Sequence, residues 1–179
     1  MRRITTASQT IGPYWHLIED RSWSDLTRFG AREAFPDREI ITLHGQLTDG
    51  DGLAFPEACV ELWQSDPEAT TAFPAFGRAA TDRDGIYTFT TLRPGPVRGR
   101  GNVEQAPHFA LCVLARGLMR GLVTRAYFQN EALNETDPLL NSIEDPERRN
   151  TLIARPDGAG AWRLDIRLQG EGETVFLDV

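Results

Sequence analysis

Apolar and polar positions alternate with a period of two along much of the chain beyond residue 38. "EIITLHGQLTD" (39–49) alternates and opens on β-branched residues, and "IYTFTTL" (86–92) alternates cleanly. "WRLDIRLQG" (162–170) sets Leu164, Ile166 and Leu168 against Arg163, Asp165 and Arg167. Side chains of a strand point to its two faces in turn, so each stretch predicts a strand with one buried face. "ACVELWQSD" (58–66) and "LVTRAYF" (122–128) predict two more, and "TVFLDV" closes the chain in the same way. "HFALCVLARG" (108–117) is apolar at nearly every position from Phe109 to Leu114, which predicts a central strand.

Turn chemistry separates these runs. "DGDG" (49–52) and the Asp84-Gly85 pair are turns, with glycines free to take positive φ. Residues 67–85 and 93–107 read as long loops, the second rich in Pro, Gly and Arg. "DPERRNTLIA" (145–154) predicts a short helix: Asp145 caps it, Pro146 takes the first turn and Glu147 complements the dipole. Residues 1–38 lack a period and predict an extended arm, with at most a short helix around Trp23–Phe29. Seven or so short strands joined by turns and long loops predict an antiparallel β-sandwich, mainly β, with one or two short helices. The expected organisation is one domain over 1–179, an arm (1–38) followed by a core (39–179).

Composition narrows the function classes. A formal net charge of −7 and a pI near 5.0 argue against nucleic acid and anionic membrane as partners. An anionic substrate would need local arginines to overcome that field. No apolar run approaches a membrane span, and the N-terminus carries no long apolar signal core. The two cysteines, Cys59 and Cys112, lie within apolar runs and are expected to be buried reduced thiols. A cytoplasmic location fits these features.

Self-contained chemistry is not legible. The three histidines, His16, His44 and His108, are far apart, and no CxxC, HxxxH or HxH pair exists. Tyr14, Tyr87 and Tyr127 are equally scattered, and no serine stands in a nucleophile elbow. Metal sites on strands often use two histidines one residue apart; here His108 is followed by Ala110 at the second place. Two stretches stand out. "SQTIGPYW" (8–15) is a glycine-bearing turn ending in two aromatics, either an arm that packs on a neighbour or part of a binding wall. In "LVTRAYF", Arg125 sits between apolar residues mid-strand, where it needs an anion. That anion is either a carboxylate of this chain or a ligand in a cleft.

Several segments together carry a resemblance: "SQTIGPYWH", "VELWQSD", "TDRDGIYTFTTLRPGPV", "APHFALCVLARG", "LVTRAYFQNE" and "RLDIRLQGEGETVFLDV". From about Thr6 to the C-terminus the chain resembles the intradiol ring-cleavage dioxygenases, and within them the α-type subunit that pairs with an iron-bearing β paralogue. The resemblance implies a mixed β-sandwich. In the β paralogue two tyrosinates and two histidines hold Fe(III). Of those four places, His108 matches the first histidine and Ala110 stands at the second. Val97 stands where one tyrosine follows "GP", and "WQSDPEATTAF" offers threonines for the other. The resemblance therefore implies that His108 is a relic, that this chain holds no iron, and that Fe(III) resides on the β subunit.

It also implies the reaction and the partners. With β and O2, such a pair opens protocatechuate to 3-carboxy-cis,cis-muconate in the β-ketoadipate pathway of aromatic catabolism, within a higher oligomer of αβ units. By match to the family, Thr10, Gly12, Pro13 and Tyr14 line the substrate pocket from the arm, and Arg125 reaches it from its strand. Arg93, Arg98 and Arg100 fill the loop where β carries a tyrosine, either pairing across the subunit interface or solvated. Two other classes stand beside this one: a homo-oligomeric ring-cleaving enzyme with an unusual metal site, and a non-enzymatic sandwich that only binds.

Overall fold

A computed structural model describes residues 10–12, 14–15 and 20–178, the side chain of Arg100 excepted. Eleven strands stand among them: β1 Ile40–Thr48, β2 Cys59–Trp63, β3 Phe76–Ala80, β4 Ile86–Leu92, β5 Val97–Arg98, β6 Glu104–Gln105, β7 His108–Leu114, β8 Leu122–Phe128, β9 Ile153–Pro156, β10 Ala161–Arg163 and β11 Ile166–Arg167. Nine of them form one mixed sheet folded over on itself. β4, β1, β10 and β11 make one layer, and β3, β2, β7, β8 and β9 make the other. The hand-over between layers is the antiparallel β9–β10 pair, with Trp162 opposite Pro156. β5 and β6 form a separate two-residue hairpin.

The alternating pattern places the core. Ile41, Leu43 and Leu47 of β1, Phe89 of β4, Leu62 of β2 and Phe109, Leu111 and Val113 of β7 are fully or almost fully buried between the layers. β7 is central, between β2 and β8, as its composition predicts. Its outer face is less covered than the apolar run suggests, since His108, Ala110, Cys112 and Leu114 are only half-buried. A second, smaller core of Ala106, Tyr127, Leu140 and Leu152 covers one end of that face.

Turns fall where the aspartates and glycines stand. The Asp49 carboxylate accepts from the backbone N–H of Asp51 and Leu53, and that of Asp82 from Asp84 and Ile86. Gly52 and Gly85 close the two turns at φ 79 and 73. Gly45 answers to a different need. A Cβ there would stand 1.7 Å from the Leu164 carbonyl oxygen, so only glycine lets the 164–165 segment cross β1. That crossing splits the predicted strand 162–170 into β10 and β11. The Asp165 carboxylate takes over the Gln46 N–H, and the buried Tyr87 hydroxyl donates to Leu164 O at 2.6 Å.

Other expectations are corrected. The sheet is mixed, as the resemblance implies, although the strand pattern alone points to an antiparallel one: β1 runs parallel to β10 and β11, and β8 parallel to β9. The loop 67–85 contains β3, whose small "FGRAA" residues show little hydrophobic period. The loop 93–107 contains the β5–β6 hairpin. The helix predicted over 145–154 spans only Pro146–Asn150, and "IA" enters β9 because it pairs with Tyr127 and Phe128. In place of a helix around Trp23–Phe29 there is a 3-10 turn at Arg21–Ser24 and a short helix at Ala31–Ala34. Leu26 and Ala31, within the expected arm, are fully buried in the main core. A 3-10 turn (Ala132–Glu135) and a helix (Pro138–Ser142) lie in a region where the sequence pattern predicts no element. Cys59 is buried, whereas Cys112 faces outward and is half-buried.

Candidate functional site

The outer face of the second layer collects the residues that the sequence singles out. His108 and Ala110 point to it from β7, two residues apart and so on one face. Ala110 stands between Trp63 of β2 and Arg125 of β8 in the strand register. Trp63 is 52% exposed, which leaves an aromatic surface on the row, and its ring lies 4.1 Å from that of Phe76. Val97, at a place where the resemblance puts a tyrosine ligand, pairs with Gln105, whose side chain reaches Arg125.

His108 is fixed as a neutral ring. Its Nδ1 lies 2.7 Å from the Ala106 carbonyl oxygen, which can only accept, so Nδ1 carries the proton. Burial first, and the Arg125 charge second, push its pKa down to about 4. The ring packs 5.3 Å from that of Tyr127.

Arg125 is half-buried and makes no ion pair among the described residues. Nη1 donates to Gln105 Oε1 at 3.3 Å and to the Tyr127 hydroxyl at 3.0 Å. Its Nε–H and Nη2 hydrogens meet no acceptor among the described residues. The internal carboxylate partner, one of the two readings of this arginine, is therefore absent from direct contact. A carboxylate stands one step behind instead. The Tyr127 hydroxyl donates to Asp137 Oδ1 at 3.1 Å, and Asp137 is fully buried. Burial raises the Tyr127 pKa, so the phenol keeps its proton.

The arm lies elsewhere. Thr10 Oγ1 donates to the Ala115 carbonyl at 3.2 Å, just beyond the far end of β7. Ala115 is five residues past Ala110, roughly 16 Å along a strand. Gly12 takes φ 81 and lines a cleft of about 270 Å³ with Trp15, Phe55, Glu57 and Arg116. Tyr14 is 69% exposed. The structure thus gathers Arg125, His108, Ala110 and Val97 at one place and sets Thr10, Gly12 and Tyr14 at another. Pro13 and His16 lie outside the described residues. Of the loop arginines, Arg93 is not simply solvated within the chain: its guanidinium lies 4.4 Å from the Phe128 ring centre and 4.8 Å from that of Trp162. Arg98 is exposed. His44, on β1, pairs with Asp157 at 3.0 Å.

Iron does not fit these residues. Ala110 and Val97 have no side-chain donor atoms, so Nε2 of His108 is the one ligand atom left at these three positions, and a lone imidazole cannot hold ferric iron. Among the described residues no three His, Cys, Asp or Glu side chains come together as a metal site. The sequence pattern puts Tyr127 on the strand face of Arg125 without showing a role for it, and does not single out Gln105 or Asp137. The Asp137-Pro138 pair carries the same cap signature as Asp145-Pro146, and would have located the helix but not its contact with Tyr127.

A family model described as dioxygenase matches residues 12–170. The chain belongs to the intradiol dioxygenase family. Within the family it is 43% identical to the protocatechuate 3,4-dioxygenase alpha chain of Pseudomonas putida, covering 97% of this chain and 96% of the relative. It is 26% identical to the beta chain of the same enzyme from Burkholderia cepacia, over 93% of this chain and 77% of the relative. A dioxygenase domain from a dioxygenase–carbohydrate-binding fusion of Streptomyces sp. SirexAA-E shares the fold, with a TM-score of 0.63 at 24% identity. That likeness spans 91% of this chain and 97% of that domain.

Proposed function

We propose that this chain is the iron-free α-type subunit of a protocatechuate 3,4-dioxygenase and works only with an iron-bearing β chain. The observation that carries this reading is the full-length identity of 43% to an alpha chain, against 26% to a beta chain. The pair opens protocatechuate with O2 to 3-carboxy-cis,cis-muconate, a step of the β-ketoadipate pathway. Fe(III) sits on β and supplies the redox chemistry. The working form is a higher oligomer of αβ units in the cytoplasm. Among the described residues no helix is long and apolar enough to cross a membrane.

This chain's share is positioning and electrostatics. Arg125 offers an anion the donors that its own chain leaves unused, through a charge-assisted contact. That local charge offsets the repulsion between a protein of formal charge −7 and an anionic substrate. Thr10, Gly12, Pro13 and Tyr14 form a second wall, and the positive φ of Gly12 leaves backbone open to close approach. Within one chain Thr10 lies just past the end of β7 at Ala115, whereas Arg125 stands opposite Ala110. We assign them to one pocket only in the assembled enzyme, where β and further αβ units add surfaces.

Co-expression with an iron-bearing β chain, followed by oxygen uptake on protocatechuate, tests the reading. Uptake by the complex and none by the chain alone is expected. Uptake by the chain alone overturns it.

A further inference from the structure

Asp137 is the most heavily engaged buried carboxylate near Arg125, and the function proposed above does not use it. It is fully buried and caps the helix Pro138–Ser142, accepting from Leu139 N and Leu140 N at 2.9 and 3.0 Å. A cap on a five-residue surface helix needs only those two bonds. Asp137 accepts two more, both from the candidate site. Tyr127 donates its hydroxyl to Oδ1 at 3.1 Å, and Ala106 donates its N–H to Oδ2 at 2.9 Å. The first bond leads to Arg125, whose Nη1 donates to the same phenol oxygen. The second leads to His108, whose Nδ1–H is held by the carbonyl of Ala106.

We infer that Asp137 is a positioning residue, which orients Arg125 through the Tyr127 hydroxyl and His108 through the Ala106 peptide. The physical reason lies in how a half-buried guanidinium can be balanced without being used up. A direct Arg–carboxylate pair would be bidentate and would occupy the donors that an external anion needs. Placing the phenol between them keeps a negative charge near Arg125 while engaging Nη1 alone. The Tyr127 hydroxyl suits the relay because it accepts from Arg125 and donates to Asp137 at the same time. The remaining donors of Arg125 then stay without an acceptor among the described residues.

This inference rests on the reading that Arg125 meets the substrate, and its test separates the two. Tyr127→Phe removes one hydroxyl and no apolar volume, and Asp137→Asn keeps the capping oxygen while removing the charge and, because its NH2 faces the Ala106 N–H, the bond to that peptide. Each is assembled with wild-type β, alone and together with Arg125→Leu, and assayed with protocatechuate. Each single variant should raise KM about three- to tenfold, the worth of one hydrogen bond, with kcat and iron content of β unchanged. In the Arg125→Leu background neither should raise KM further, because the group they orient is gone. A KM raised by Arg125→Leu but unmoved by Tyr127→Phe and Asp137→Asn overturns the positioning role. A KM unmoved by Arg125→Leu overturns the underlying assignment of Arg125. If both relay variants lower assembly or melting temperature and the surviving complexes keep wild-type KM, Asp137 is a structural cap and the inference fails.

Discussion

Ala110 and Arg125 stand directly opposite each other on the neighbouring strands β7 and β8, on the outer face of the sheet. A small apolar residue beside a guanidinium leaves that guanidinium uncrowded. Its only hydrogen-bond partners among the described residues are the neutral oxygens of Gln105 and Tyr127. A charge in this setting touches no carboxylate directly among the described residues, which leaves donors open to an external anion on the function proposed.

Replacing that charge separates binding from structure. Arg125→Leu keeps much of the aliphatic packing and removes charge and donors. Truncating a charge-assisted contact costs roughly 2–5 kcal/mol. The kcat/KM of the αβ complex on protocatechuate should therefore fall at least about tenfold, the equivalent of about 1.4 kcal/mol. Iron on β should be unchanged. Steady-state kinetics and a melting curve on one preparation check this, and a destabilised complex with wild-type efficiency removes Arg125 from the site.

His108 sets a pH dependence. Its folded pKa is about 4, below the ordinary 6.5, so the unfolded chain takes up the proton first as pH falls. The stability it contributes is full above about pH 6.5 and is lost as pH falls through 4, at most about 3 kcal/mol. Urea midpoints of the complex between pH 7 and pH 4.5 should fall more steeply for wild type than for His108→Gln. Parallel curves contradict the assignment. Arg125→Leu removes the charge that helps depress this pKa, so it should raise the His108 pKa, readable by proton NMR.

Gly45 supports the fold rather than the site. Alanine there would place its Cβ 1.7 Å from a backbone oxygen, and no side-chain rotation relieves that. Gly45→Ala should destabilise by roughly 3 kcal/mol or more, read as lost soluble yield and a lower melting temperature. A variant that melts like wild type contradicts the crossing of 164–165 over β1.

The strands were the legible part, because a half-buried strand writes its period into the sequence. β4 and β8 have the predicted bounds of 86–92 and 122–128. β3 was illegible because its packing rests on Gly77 and small alanines, which carry little hydropathy contrast. The parallel partners of β1 were illegible because they lie more than a hundred residues away, and the split between β10 and β11 depends on a contact with Gly45. At the site, Arg125 was legible as a charge in an apolar run. Asp137 was not, because nothing local in "NETDPLL" shows that its carboxylate turns inward to Tyr127.

On the function proposed, this chain shapes an active site whose iron belongs to its partner. Iron stoichiometry and visible absorption, measured on the chain purified alone and on the αβ complex, test it most directly. No iron and no tyrosinate-to-iron charge-transfer band are expected in the chain alone, with one iron per αβ pair in the complex. One iron per chain, with that band, in the chain purified alone would contradict it.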